Sequence, residues 1–213
     1  EYQQLEADAK AAEEKVRAKV DADTNAQKRR NKTGVKAETL VKRFYASLGV
    51  SLKKQTTATG MFTPSGFPIR RATGVDFAGS VTVEIDGQRI SRTFETEVKA
   101  VTSGSFPMGN LSDVERAFLK AATARGSITI LTIVWYEKPD PRMEPEPPVL
   151  YCVPFGEWVL IEEILVSRAN GNYQGRSLRK QDLELLSRYA VRKEGNRWRL
   201  PDEHWLRQVL AAK

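Results

Sequence analysis

Apolar and polar positions follow two different periods along this chain, and the switches between them mark out its elements. From Ala37, the run AETLVKRFYASLG places Leu40, Val41, Phe44, Tyr45 and Leu48 at helical spacing and stops at Gly49, which predicts a core helix. Residues 50–74 keep no period. Two prolines and several glycines among basic residues predict short extended pieces joined by loops. The stretch VDFAGSVTVEIDGQRISRTFETEVKAV then alternates at every second residue around Asp86-Gly87, a strong signal for a two-residue hairpin turn. SGSFPMGN reads as a loop. LSDVERAFLKAATARG reads as a helix opened by Ser112, with Glu115 at capping-box spacing, and ended by Gly126.

SITILTIVWYE predicts a buried strand, KPDPRMEPEPP an exposed Pro-rich loop and VLYCVPF a second strand. EWVLIEEILV fits either a continuation of the sheet or the start of a helix. SRANGNYQGRSLRKQ predicts a glycine-containing basic loop, DLELLSRYA a helix, and NRWRLPDEHWLRQVLAA a tail ending in a helix. The order helix, strands, helix, strand, strand, helix implies an α/β domain with a mixed sheet flanked by helices. Ahead of it, Leu5, Ala9, Ala12, Val16 and Val20 form only a thin apolar stripe, so residues 1–32 are expected to be a charged arm, helical or partly disordered, and residues 33–213 the domain. The arm's cluster KRRNK fits a solvated tail and a phosphate-gripping segment equally well.

Charge changes this picture. Lys plus Arg total 34 against 27 Asp plus Glu, a net +7 over 213 residues, which favours a polyanionic partner such as nucleic acid or an anionic surface. The single cysteine, Cys152, sits in an apolar run and excludes a disulfide framework or a cysteine-rich zinc site. The single histidine, His204, lies in an ordinary terminal helix pattern, which discounts histidine-based nucleophilic catalysis. No apolar run approaches a membrane span and no signal peptide is visible, so the expectation is a reduced, cytoplasmic protein with no membrane partner.

The chemistry concentrates in the hairpin. Residues two apart share a face of a strand, so Glu95, Glu97 and Lys99 point one way while Phe94, Thr96 and Val98 point the other. The preceding strand brings Asp76 toward Glu97, in a register that the long hairpin leaves open. Carboxylates gathered this closely repel unless a cation neutralises them, and hard oxygen donors without histidine select Mg²⁺ or Mn²⁺. Such an ion supports phosphodiester hydrolysis, with a lysine adding positive charge where the transition state accumulates negative charge. The other reading of the same residues is a solvated face with cross-strand ion pairs.

A helix, a strand bearing Asp, a strand bearing E-x-K and a second helix form the order found in PD-(D/E)xK nucleases. More specifically, VDFAG, FETEVKA, SFPMGNLSDVERAFLKAA and GSITILTIVWYE resemble the RecU family of Holliday junction resolvases, as do NKTGVKAETLVKRFYASLG before them and GRSLRKQDLELLSRYAV after, from about Asn31 to Leu210. The resemblance implies a restriction-endonuclease-like fold, Mg²⁺ or Mn²⁺ as cofactor, and a homodimer that cuts four-way DNA junctions by paired hydrolysis. It implies Asp76 and Glu97 as metal ligands with the backbone carbonyl of Val98, Lys99 as the catalytic lysine, and Glu38 approaching the metal from the first core helix. Glu95 is expected as a neighbour of the ligands or as a DNA-facing residue. Lys53, Lys54, Arg70, Arg71, Arg176, Arg179 and Lys180, on loops that could flank the site, are expected to grip phosphates. The chain departs from the family where His-Gln is replaced by Val114 and Glu115, and where TPSGFPIRRATGVDF leaves little room for a stalk. A restriction-like or phage nuclease acting on duplex DNA and a non-catalytic recombination accessory protein remain the alternatives.

Overall fold

A computed structural model describes residues 23–24, 27–28, 31–55, 58–62, 68–71, 75–85, 88–137, 146–168, 177–195, 197–201 and 203–210. The chain divides into two compact units, Glu1–Lys36 and Ala37–Lys213. Within the first, residues 23–24, 27–28 and 31–36 are helical, and Gln27 donates to the Asn31 side chain at 3.0 Å one turn on. The rest of the arm, including the stripe from Leu5 to Val20, lies outside the described residues.

The second unit is mixed α/β. Helix α1 (residues 37–47) ends where Gly49 takes φ 79°, a conformation that an L side chain resists. Strands β1 (Ser51–Lys54), β2 (Ala58–Phe62) and β3 (Pro68–Arg71) occupy the expected broken region, followed by the long hairpin β4 (Phe77–Ile85) and β5 (Gln88–Val101). A short strand β6 (Ser105–Pro107) leads to helix α2 (Asp113–Ala124), whose capping box between Ser112 and Glu115 is fully formed. Then come β7 (Ile128–Trp135), β8 (Val149–Pro154), helix α3 (Phe155–Arg168), β9 (Ser177–Arg179), a 3-10 segment (Lys180–Tyr189), β10 (Ala190–Glu194), β11 (Arg197–Arg199) and helix α4 (Trp205–Leu210). Among the described residues the main sheet has seven strands in the order β1-β4-β5-β7-β8-β10-β11. Every neighbouring pair is antiparallel except β5 and β7, which α2 connects as a parallel crossover.

Two layers of side chains cover this sheet. On one face Phe94, Val98, Ile130, Val134 and Cys152 pack against Val41, Phe44 and Tyr45 of α1 and Leu206 of α4. On the other, Leu131, Ile133, Trp135, Tyr151 and Val153 pack against Leu119 of α2 and Trp158, Ile161 and Leu165 of α3. Each such side chain contributes about 1.5–3 kcal/mol by leaving water. β7 is buried along its whole length, as a two-sided central strand requires. Cys152 is buried, and burial pushes its thiol up to about 12. No helix among the described residues is long and apolar enough to cross a membrane.

Several elements differ from expectation or resolve it: the expected loops SGSFPMGN and SRANGNYQGRSLRKQ contain β6 and β9, which pair with each other. EWVLIEEILV is helical, with Phe155, Trp158, Ile161 and Leu165 recurring at helical spacing on the buried side. DLELLSRYA is a 3-10 segment and not an α-helix, because its inward residues Leu183, Leu186 and Tyr189 fall three apart, which matches three residues per turn. The tail contains a hairpin, β10 and β11, ahead of its helix.

Candidate active site

The β4–β5 hairpin pairs without a slip from Ile85 opposite Gln88 to Phe77 opposite Thr96. One further step sets Asp76 against Glu97, and two hydrogen bonds fix them there. The Asp76 backbone N–H donates to Glu97 Oε2 at 3.0 Å, and the Val98 N–H donates to Asp76 Oδ2 at 2.9 Å. On the other edge of β4, a Cβ at Gly79 would lie 1.8 Å from the Ser51 carbonyl oxygen of β1, so only glycine lets the edge strand close on β4. The alternation of β5 puts Phe94 and Val98 into the α1 layer, where Thr96 bonds Thr132 at 2.8 Å and Thr132 bonds the Tyr45 hydroxyl at 2.8 Å.

The acidic face is buried as well. Glu97 is 3% exposed, and its Oε1 lies 2.7 Å from the Lys99 ammonium. Lys99 also reaches Glu115 Oε1 of α2 at 2.9 Å, while Glu115 Oε2 accepts the Ser112 N–H of the capping box. Burial and the neighbouring Asp76 charge push Glu97 up to about 8, with Lys99 pulling against them. Burial also raises Asp76, opposed by the Val98 N–H and reinforced by the charge of Glu38. Burial works against the charge on Lys99, but Glu97 and Glu115 outweigh it and hold the ammonium above its ordinary value. Glu115 goes the other way: burial raises it, but Lys99 and the Ser112 N–H together draw it below the usual carboxylate range.

Neither the protein-family models nor the curated proteins contain a match to this chain.

Asp76, Glu97, Val98 and Lys99 are therefore brought together. Glu38 is not bonded to them: it pairs with Lys54 on the α1 side of the sheet and reaches Asp76 only through its charge. Glu95 is 6% exposed; its Oε1 accepts from the Ser127 hydroxyl at 3.4 Å and its Oε2 is buried without a hydrogen-bond partner. Of the expected phosphate contacts, Lys54 is engaged by Glu38 and Lys180 by Glu137 at 3.0 Å. Lys53 is exposed and, paired with Ala78, shares the face of Asp76 and Glu97. Arg179 is exposed next to β6. The side chains of Arg70 and Arg71 and all of Arg176 lie outside the described residues.

Two partnerships were not anticipated. One is the reach of Lys99 to Glu115. The other is the Arg116–Glu162 pair between α2 and α3, which Arg116 extends to the carbonyls of Leu111 and Met108 at 3.1 and 2.9 Å. Among the described residues no group of three His, Cys, Asp or Glu converges to hold a metal unaided. A buried carboxylate (Glu97), a half-buried one (Asp76) and the backbone carbonyl of Val98 are nevertheless hard oxygen ligands of the kind that suits a small divalent cation. Burial raises both carboxyl groups above their ordinary values, a penalty on their charged forms that a bound cation would offset.

Proposed function

We propose that the chain is a RecU-like, metal-dependent endonuclease of the PD-(D/E)xK kind that cuts four-way DNA junctions as a homodimer. The observation that carries this reading is the unbroken hairpin register that sets Asp76 against Glu97, with Lys99 2.7 Å from the latter. The succession α1, β4, β5, α2 and a β7 parallel to β5 resembles the restriction-endonuclease-like core and supports it.

Asp76, Glu97 and the Val98 carbonyl would hold Mg²⁺ or Mn²⁺, which when bound supplies Lewis-acid polarisation of a phosphodiester and a water of lowered pKa. Lys99 places a fixed positive charge beside these groups, where negative charge grows on the phosphoryl oxygens, and it can donate a hydrogen bond that orients the attacking water. Hydrolysis joins the water oxygen to phosphorus and breaks the bond to the 3′ oxygen, leaving a 5′-phosphate and a 3′-hydroxyl. Burial of Glu97 strengthens each electrostatic contact, because the surroundings are less polar than water. Of the cations expected to contact DNA, Lys53 on the same face and Arg179 are exposed and fit phosphate contacts.

One observation favours a second reading. Lys99 already has two carboxylate partners, as a purely structural ion-pair cluster would. That reading predicts no Mg²⁺-dependent cleavage of any DNA. Side-by-side digestion of a synthetic four-way junction and a linear duplex of the same sequence, with and without Mg²⁺, decides between them. The proposal expects paired cuts in the junction only, and only with the metal. Cutting of duplex alone would indicate a duplex nuclease, and no cutting would leave the structural cluster.

A further inference from the structure

The Lys99 ammonium stands between two carboxylates that differ in how they are held. Glu97 Oε2 accepts the Asp76 N–H at 3.0 Å and Oε1 lies 2.7 Å from Lys99, so a cation that comes to Oε1 displaces the ammonium from it. Glu115 has a second anchor outside β5. Its Oε2 is locked to the Ser112 N–H at 2.8 Å by the capping box at the start of α2, and its Oε1 is given over to Lys99 at 2.9 Å. The Lys99 side chain is only 17% exposed, so an ammonium that lost both partners would be a buried unpaired charge.

We propose that Glu115 is a positioning residue: it keeps Lys99 in place when a divalent cation takes over Oε1 of Glu97. This rests on the metal-site reading above. Lys99 then has two stations. Without the metal its ammonium bridges Glu97 and Glu115, neutralising the acidic pair and keeping the site assembled. With the metal it remains on Glu115 alone, off the carboxylate oxygen that the metal takes. The capping box thus ties the N-terminus of α2 to the lysine of the reaction.

The test uses the full chain labelled with ¹⁵N and Ca²⁺ as a hard cation probe. The Lys99 ammonium signal is assigned by its loss in Lys99→Met. In the wild type it should be visible without Ca²⁺, shift when Ca²⁺ is added and stay visible. In Glu115→Gln, which keeps a capping side chain but not its charge, it should be visible without Ca²⁺ and disappear into exchange with water when Ca²⁺ is added. Ser112→Ala weakens the cap and leaves Glu115 Oε1 in place, so its signal should persist in Ca²⁺. On junction DNA with Mg²⁺, Glu115→Gln should lose about tenfold or more in kcat with little change in KM. A signal that survives Ca²⁺ in Glu115→Gln, or vanishes in the wild type, overturns the two-station lysine while leaving the metal site standing. A wild-type signal indifferent to Ca²⁺ overturns the metal site itself, and this inference with it.

Discussion

Burying Glu97 has a cost that depends on pH, and replacing it with glutamine exposes that cost. Its carboxyl is held at about 8 in the folded protein against an ordinary 4.5. The folded state therefore keeps a proton that the unfolded chain gives up, and stability falls as pH rises from about 4.5 through 8. At about 1.4 kcal/mol per pH unit, the full loss has an upper bound of about 4–5 kcal/mol. For a chain of this size that corresponds to a fall of about 10–20 °C in Tm. Asp76, also raised, contributes in the same direction at lower pH, and His204, lowered by burial, contributes the opposite way below its ordinary 6.5. The difference between wild type and Glu97→Gln cancels the contribution of His204 and leaves that of the Glu97–Asp76 pair. Urea unfolding at pH 5 and pH 9 should show the two proteins close together at pH 5 and the variant more stable by about 2–4 kcal/mol at pH 9. Mg²⁺ at about a hundred times its Kd should return about 2.7 kcal/mol to the wild type at pH 9 and much less to the variant. Parallel stability profiles for the two proteins across this range would refute the reasoning.

Other substitutions test the scaffold. Gly79→Ala forces a Cβ into the Ser51 carbonyl and should destabilise by about 1–3 kcal/mol or more, read by urea unfolding, with β1 amides losing hydrogen-exchange protection first. Arg116→Met leaves Glu162 buried without its counter-charge and should cost about 3–5 kcal/mol in the same assay, whereas Arg116→Met with Glu162→Leu should recover most of it.

Much of the site was legible because strand alternation is a rigid constraint. Glu97 and Lys99 two residues apart had to share a face, and Phe94 and Val98 had to take the other. The register was legible too, although it was left open: a two-residue turn at Asp86-Gly87, counted back pair by pair without a bulge, already sets Asp76 against Glu97. Glu194-Gly195-Asn196-Arg197 carried the same kind of turn signal for β10 and β11, hidden because the flanking strands are short and polar. Burial of the acidic face was not legible, since a charged alternation looks solvated until α2 and α3 are known to cover it. Nor was the Lys99–Glu115 pair. Glu115 was read as a cap, and nothing local shows that its second oxygen meets a lysine from another element. The pairing of Lys54 with Glu38 follows from pleat parity, which turns Lys54 to the α1 side and Lys53 to the side of Asp76.

Cleavage of a four-way junction in Mg²⁺ by the wild type, Asp76→Asn and Lys99→Ala tests the central claim most directly, with binding followed on the same DNA. The account predicts that all three bind the junction and that only the wild type cuts it. Full cleavage by either variant, or cutting by the wild type without a divalent cation, would contradict it.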